Sequence, residues 1–210
     1  MSNIYEGKSW QEIFAKEIGL INKTEDKLIL DAVLDHVQEY HKKAPASSSG
    51  KYHPFCSLGD GGLIRHTKFV VQNALELIRA TPEVENESDE IITAAILHDL
   101  VKYPEGEGTY TAADHPTLMA NLILDTCPSS EIAKTISRLV GAHQGKWNTD
   151  RKGNIINAKP EKQDEYVLHY ADLLASRTYI SPDFDENGEI IMDSCHNRTE
   201  IISESRKTRH

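Results

Sequence analysis

Cysteine is scarce in this chain, and what there is cannot be paired off. Cys56, Cys127 and Cys195 are the only three in 210 residues, and they form no Cys-x-x-Cys spacing. Their odd count fits neither a zinc ribbon nor a secreted disulfide framework, so a reducing, cytoplasmic setting is expected. Long apolar runs are missing as well. No stretch approaches the ~20 residues of a membrane span, and Met1-Ser2-Asn3 opens without a basic stretch leading into an apolar one, so neither membrane segment nor secretory leader is expected. Positive charge is in deficit: 23 Lys and Arg stand against 33 Asp and Glu, a formal net charge of −10. Such a surface is poorly suited to neutralising many phosphates along a polymer, which favours a small phosphorylated or nucleotide substrate over long nucleic acid. Internal repeats and low-complexity tracts are absent, and 210 residues suffice for one good core but not for two ordinary domains with linkers.

What the chain does have is apolar residues at helical spacing. Segments 9–20, 24–43, 63–80, 88–102, 115–126, 129–143 and 160–178 are predicted helices. The second carries Leu28, Ile29, Val33, Leu34, Val37 and Tyr40 behind an acidic first turn, Thr24-Glu25-Asp26. Ser88 and Ser129 are the expected caps of two others, and Pro160 takes a first-turn position. The fold class is therefore all-α. Turn chemistry at Asp150 to Ile155 and at Asp185 to Ile190, the latter with Asn187-Gly188, adds a small β-hairpin appendage to the expectation. Ala44 to Gly50 has the composition of a linker, yet Tyr52, His53, Pro54 and Phe55 follow so closely that an ordered loop leading into a site is expected. The tail 196–210 has no apolar periodicity and reads as frayed.

Four of the ten histidines and two aspartates fall in or beside these segments: His66, the doublet His98-Asp99, His115, His143 and Asp172. The most apolar stretch, Ile91 to Leu97, runs straight into the doublet. A carboxylate at the end of a buried helix costs several kcal/mol unless it is paired or bound to a cation. Imidazole and carboxylate without thiolate suit Mn²⁺, Fe²⁺, Co²⁺, Ni²⁺ or Zn²⁺ better than Ca²⁺. Lys102, on the face of His98 and Asp99 if the helix continues, is positioned to meet a phosphate oxygen; its plainer reading is a lysine favoured by a helix C-terminus. Ser57 to Gly62 ends where the helix bearing His66 begins. Free N–H groups there suit an anion, and tight packing explains the same glycines equally well, since the string fits neither a P-loop nor a dinucleotide fingerprint. His36 and His41 read as solvent or packing residues and His196 and His210 as tail residues, whereas His53, which precedes the glycine loop, is a candidate either to reach substrate or to pack without a role in the site. His169, three residues before Asp172, is either a partner orienting that carboxylate or a satisfied core histidine.

The order His, His-Asp, His, His, Asp resembles the HD-domain superfamily of metal-dependent phosphohydrolases. The strings Gly61-Gly62-Leu63-Ile64-Arg65-His66-Thr67, His98-Asp99-Leu100-Val101-Lys102, Ala142-His143-Gln144-Gly145-Lys146 and Leu168-His169-Tyr170-Ala171-Asp172 resemble the HD module of bacterial 3′-to-5′ exoribonucleases, over roughly residues 55 to 178. Two departures stand out: Leu100-Val101 where Gly-Lys usually follows the doublet, and Gln144 where many two-metal members place a second histidine. The nucleic-acid-binding domain that precedes the module in those enzymes has no evident counterpart. The resemblance implies an HD-domain helical bundle over 1–195, with packing helices in 1–45 and a metal-binding core in 55–178. It further implies two divalent transition-metal ions, one on His66, His98, Asp99 and Asp172, the other sharing Asp99 and adding His115 and His143. A hydroxide between ions ~3.5 to 4 Å apart would be the nucleophile. Asp99 and Lys102 are the expected catalytic residues, with Lys102, Arg65, Gln144 and Lys146 toward substrate and residues 103–114 with Trp147 as a lid or specificity loop. The activity implied is hydrolysis of a phosphate ester or phosphodiester of a nucleotide-sized substrate. The same ligand set serves superfamily members whose mixed-valence di-iron centre activates dioxygen, and an HD fold can also sense a nucleotide without turning it over. The ligands alone do not separate the two enzyme classes, nor do they fix the native metal or the oligomeric state.

Overall fold

A computed structural model describes residues 4–107 and 109–192. Among these residues are eight α-helices: α1 (Trp10–Ile13), α2 (Ala15–Ile18), α3 (Thr24–Leu34), α4 (Gly62–Ala80), α5 (Ser88–Leu97), α6 (His115–Thr126), α7 (Glu131–Ala142) and α8 (Gln163–Ala175). Short 3₁₀ turns lie at Glu39–Lys42, Phe55–Ser57 and Pro82–Glu87. The all-α expectation holds. α5 is the axis of the bundle: it packs against α3, α4, α7 and α8, and every residue of it from Ile91 to Leu97 is buried. That enclosure is why its sequence is apolar all round, whereas α4 and α7 keep a polar face for solvent.

The predicted helices exist but several end early, each for a visible reason. The first is split at Phe14, whose backbone leaves helical geometry (φ −104°, ψ 18°) while its ring is fully buried and stacks on Trp10. Ser9 and Glu12 cap it reciprocally. α3 stops at Leu34 rather than running to residue 43, because the chain turns to bury Val37 and to offer the Val37 carbonyl to the Trp10 indole N–H at 3.3 Å. The cap of α7 is Ser130, whose hydroxyl accepts from the Ala133 N–H, and not Ser129. Ser88 is the first residue of α5 and makes no side-chain cap. Pro160 precedes α8, whose entry is held by Glu165 accepting from the Glu161 and Lys162 N–H groups.

The β-hairpin appendage is not formed; the described residues contain no strand. Each turn closes with one isolated bridge, Thr149 to Ile155 and Phe184 to Ile190. Asp150 and Asp185 hold their turns locally by accepting backbone N–H groups two and four residues on. The second turn docks on the core through Glu189, which receives the buried Lys68 ammonium at 2.6 Å, and through the Gly188 carbonyl, which accepts from the Tyr5 hydroxyl. The Ala44 to Gly50 segment is an ordered loop: Ala46 is buried and its N–H donates to the Ser57 carbonyl, and the Leu63 N–H donates to the Ala44 carbonyl. The tail 196–210, with His196 and His210, lies outside the described residues.

Candidate metal centre

Five separate segments deliver the six proposed ligands to one point. α4 carries His66 on its buried face. α5 ends at Leu97, and the chain continues as a tight turn in which the Leu100 N–H donates to the Leu97 carbonyl and the Lys102 N–H to the Asp99 carbonyl. This turn replaces the helical continuation expected to residue 102 and sets Lys102 directly against Asp99. His115 opens α6, His143 follows the last residue of α7, and Asp172 projects from α8.

The ligand atoms form two trios, His66, His98 and Asp172 in one and Asp99, His115 and His143 in the other, each with its atoms within 4.8 Å of one another. The two oxygens of Asp99 face different trios. Oδ1 lies 2.8 Å from His115 Nε2 and 3.6 Å from His143 Nε2. Oδ2 lies 3.4 Å from His98 Nε2 and 3.7 Å from His66 Nε2. Asp172 Oδ1 is 3.0 Å from His66 Nε2 and 3.9 Å from His98 Nε2. Ligand atoms ~2.1 Å from a common ion stand roughly 3.0 to 3.4 Å apart in octahedral or tetrahedral arrangement, so these separations fit shared coordination.

Three of the four imidazoles are fixed in orientation by backbone. Nδ1 of His98, His115 and His143 lies 2.8, 2.6 and 2.7 Å from the carbonyl three residues earlier, of Ala95, Ala112 and Val140. A carbonyl can only accept, so Nδ1 holds the proton and Nε2 presents its lone pair inward. The inner atoms are left without hydrogen bonds among the described residues: Nε2 of His66, His98 and His115 and Oδ1 of Asp99 are all buried and have no partner there. So many orphaned acceptors converging in a protein interior would be costly, and a cation satisfies them together.

The charges follow from that enclosure. Burial disfavours ionised Asp99, but Lys102, His98 and His115 outweigh it and hold the carboxyl well below its usual range. Asp172 is likewise held down against its burial, chiefly by His66. Burial pushes His66 and His115 down, keeping them neutral and able to ligate. In His98 burial acts the same way, yet Asp99 overrides it and the net shift is upward. Lys102 is also raised, Asp99 prevailing over burial, and its ammonium pairs with Asp99 Oδ2.

A cleft of about 460 Å³ opens over this cluster, floored by Lys102, His115, His143 and Asp172. Its walls include Ser47, Ser48 and Ser49 of the ordered loop, His53, Gln144 and Trp147. Gln144, expected toward substrate, is here, its amide oriented by the Asn157 side chain donating to Oε1 at 3.0 Å. Arg65, also expected toward substrate, is not: its guanidinium donates to the carbonyls of Cys56 and Leu58, bracing the glycine-rich loop. That loop is a packing turn. Gly61 is left-handed (φ 70°) with the Tyr5 ring where a Cβ would go, and Gly62 lies against the Ser57 carbonyl. Lys146 is exposed, 4.8 Å above the Trp147 ring, and lines a neighbouring groove instead. Of the expected lid, Thr111 reaches the cleft, while Tyr103 is buried and donates to the Pro45 carbonyl, and Tyr110 stands out in solvent.

Two further histidines stand beside the site, and the contact made by the first was not foreseen in the sequence. Nδ1 of His169 lies 2.7 Å from the His143 carbonyl, so it braces the backbone of that ligand rather than Asp172. Gly145, left-handed at φ 59°, is the close approach that makes room for its ring. His53 is half-buried with its ring 5.1 Å from that of His66, and its buried Nδ1 has no hydrogen-bond partner among the described residues. Burial pushes its pKa down to about 3, so it stands neutral at the wall of the cleft.

Compared with known families, residues 63–177 match the family model described as HD domain, a span holding all six clustered residues. No curated protein and no solved structure matches the chain.

Proposed function

The chain belongs to the HD-domain family, and on that premise we propose that it is a metal-dependent phosphohydrolase that uses two divalent transition-metal ions to cleave a phosphate ester or phosphodiester of a nucleotide-sized substrate. The observation that carries this reading is Asp99, with one oxygen turned to His115 and His143 and the other to His66 and His98. A carboxylate so placed suits a bridge between two ions. His66, His98, Asp99 and Asp172 would hold one, and Asp99, His115 and His143 the other. Ions bound there would supply a water that ionises near neutral pH and positive charge against the phosphoryl oxygens. Kinship with the HD modules of bacterial 3′-to-5′ exoribonucleases rests on the short strings around these residues.

The chain's own groups have the complementary tasks. The backbone carbonyls behind His98, His115 and His143 keep each Nε2 aimed inward, so no rotamer must be selected when a ligand binds. Lys102 places a buried ammonium on the cleft floor beside Asp99, where a phosphate oxygen gaining charge would meet it. Gln144 offers a preoriented amide at the wall. The serines at 47 to 49 bring hydroxyls to the rim.

The test is reconstitution of chelator-stripped protein with Mn²⁺, Co²⁺, Fe²⁺ or Zn²⁺, followed by a phosphate-release screen over nucleotides with and without dioxygen. Release under strict anaerobiosis with a redox-inert ion is expected. Turnover that requires both iron and dioxygen, with no phosphorylated compound cleaved, would replace this reading with the di-iron oxygenase chemistry.

A further inference from the structure

Beside the metal cleft, α8 and the loop after α7 frame a second groove of about 490 Å³. Trp147, His169, Leu173 and Arg177 line both, so one continuous wall runs from the metal cluster into the groove. Each volume falls within the range of a pocket for one small ligand.

Two properties set the groove apart. The first is a row of aromatic rings. Tyr166 and Tyr170, four residues apart on α8, stack at 5.9 Å and 27°; His169 follows 5.2 Å from Tyr170, and Trp147 6.4 Å from His169. Tyr166, Tyr170 and Trp147 are 37%, 46% and 49% exposed, so these faces are presented to solvent. Large rings exposed singly are ordinary, whereas a contiguous row is the kind of surface that takes a partner. The second is charge. Lys146, Lys159 and Arg177 line the groove, and among the described residues no carboxylate lines it. Among the described residues none of the three is in an ion pair, although Lys68, Lys134 and Arg138 elsewhere are each matched with acids. In a chain of net charge −10 this local excess of cations is against the average. Arg177 sits where cleft and groove meet, its Nε and Nη2 tied to the Leu173 carbonyl and the Ser176 hydroxyl.

Aromatic faces alternating with cations bind stacked bases joined by phosphates, and do so with little dependence on base identity. We propose that the groove is a subsite for a second nucleotide unit, its base on the rings of Trp147 and Tyr170 and its phosphate toward Lys159 and Arg177. The substrate class is then a dinucleotide or very short oligonucleotide, with its scissile phosphodiester over the metal cluster. This rests on the hydrolase reading above. In the reaction, water adds an oxygen to phosphorus, the P–O bond to the neighbouring sugar breaks, and that sugar oxygen leaves with a proton from the water; no oxidant or reductant enters. The short row of rings and the net negative charge both argue against an extended polymer.

Trp147 reports on occupancy without turnover, since the other tryptophan, Trp10, is buried in the core. Titration of the protein with 5′-phosphorylated adenylyl-adenosine should quench Trp147 fluorescence, with affinity at least about tenfold above that for AMP; Trp147→Phe should remove the signal. Tyr170→Ala and Lys159→Glu should each weaken the dinucleotide about tenfold, in the range of one lost stacking or phosphate contact. Both variants should hydrolyse bis(p-nitrophenyl) phosphate with Mn²⁺ at the unmodified rate within about twofold, since that ester needs only the metal cleft. Equal affinity for dinucleotide and AMP, or dinucleotide binding indifferent to both substitutions, overturns the subsite even if small esters are hydrolysed. Preferential dinucleotide binding with no ester hydrolysed under any metal would leave the subsite standing and remove the hydrolase.

Discussion

Replacing Asp99 by Asn keeps the shape of the side chain and deletes the charge on which both trios converge. Two separate losses should follow. In chelated protein the Lys102 ammonium, only 8% exposed, loses the carboxylate it is paired with. Removing one partner of a buried ion pair costs ~3 to 5 kcal/mol, and the lower end is expected here because Asn retains an accepting oxygen. At ~2 to 4 °C per kcal/mol for a domain of this size, the melting temperature should fall by roughly 6 to 12 °C. With metal, an ion at one hundred times its dissociation constant stabilises by ~2.7 kcal/mol per site, so two sites would raise the unmodified protein by about 5 kcal/mol. Asp99→Asn should lose nearly all of that increment, because the substitution removes the anionic ligand shared by both ions. Pairing the substitution with Lys102→Met separates the effects: it removes the orphaned ammonium and should recover most of the stability in chelator, while the response to metal stays absent. Thermal unfolding in EDTA and in Mn²⁺, with elemental analysis of the same samples, reads both. Retention by Asp99→Asn of a full equivalent of tightly bound metal, together with an undiminished thermal shift, would refute the bridging role.

His143→Ala should reduce metal content from two equivalents to one and abolish most phosphate release, because it serves one trio alone; two retained equivalents with normal turnover would remove it from the ligand set. Lys102→Gln should keep its metal but lose turnover about tenfold to a thousandfold, the usual cost of one charge-stabilising donor, and unaltered kcat and KM would return Lys102 to a structural partner of Asp99. Asp26, fully buried with neither carboxylate oxygen hydrogen-bonded among the described residues, is pushed up to about 6 by burial and by neighbouring Glu90. Its folded pKa is above the unfolded value, so its contribution is fully present below pH ~4 and is lost as pH rises through 6, amounting to up to ~3 kcal/mol at 1.36 kcal/mol per unit. Asp26→Asn should therefore gain stability relative to the unmodified protein between pH 4.5 and 7.5 in urea unfolding, and a difference independent of pH would show that Asp26 does not titrate there.

Helical periodicity made the fold class legible because a 3.6-residue repeat needs only local information. Helix ends were not legible in the same way. The break at Phe14 and the early stop at Leu34 come from Trp10 and Val37 finding each other across the turn, a tertiary event invisible to a window of one helix. The same distinction runs through the site. The six clustered residues could be read from their order along the chain, whereas Arg65, Lys146 and His169 could be assigned only by direction. Arg65 is one residue from His66 and so leaves on another face, toward the carbonyls of Cys56 and Leu58. His169 shares a helix face with Asp172, yet its bond is made to α7, at the His143 carbonyl. A spacing of three residues on α8 says that two side chains neighbour each other, but not which of them meets the adjacent helix.

The histidines themselves show where local signal ends. His98 and His143 follow the last residues of α5 and α7, where the helical ladder runs out, and each uses a carbonyl three residues back to fix its Nδ1, that of Val140 also taking the His143 backbone N–H. His115, at the start of α6, does the same with Ala112 in the loop before it. His41, at the end of a 3₁₀ turn, has a similar approach to the Gln38 carbonyl at 3.2 Å, but its Nε2 receives the Tyr103 N–H and its ring stacks on Tyr40. The hook is therefore common to ligand and packing histidines. What separates them is whether Nε2 already has a protein donor. His41 has one; among the described residues Nε2 of His66, His98 and His115 has none and is buried beside Asp99. His66 lies inside α4, where the carbonyls are already engaged by the helix, so it has no hook, and its Nε2 instead stands 3.0 Å from Asp172. Of the four imidazoles it is the one whose orientation depends most on a carboxylate from another helix, which makes α8 as necessary to the first trio as the His98-Asp99 turn is to both.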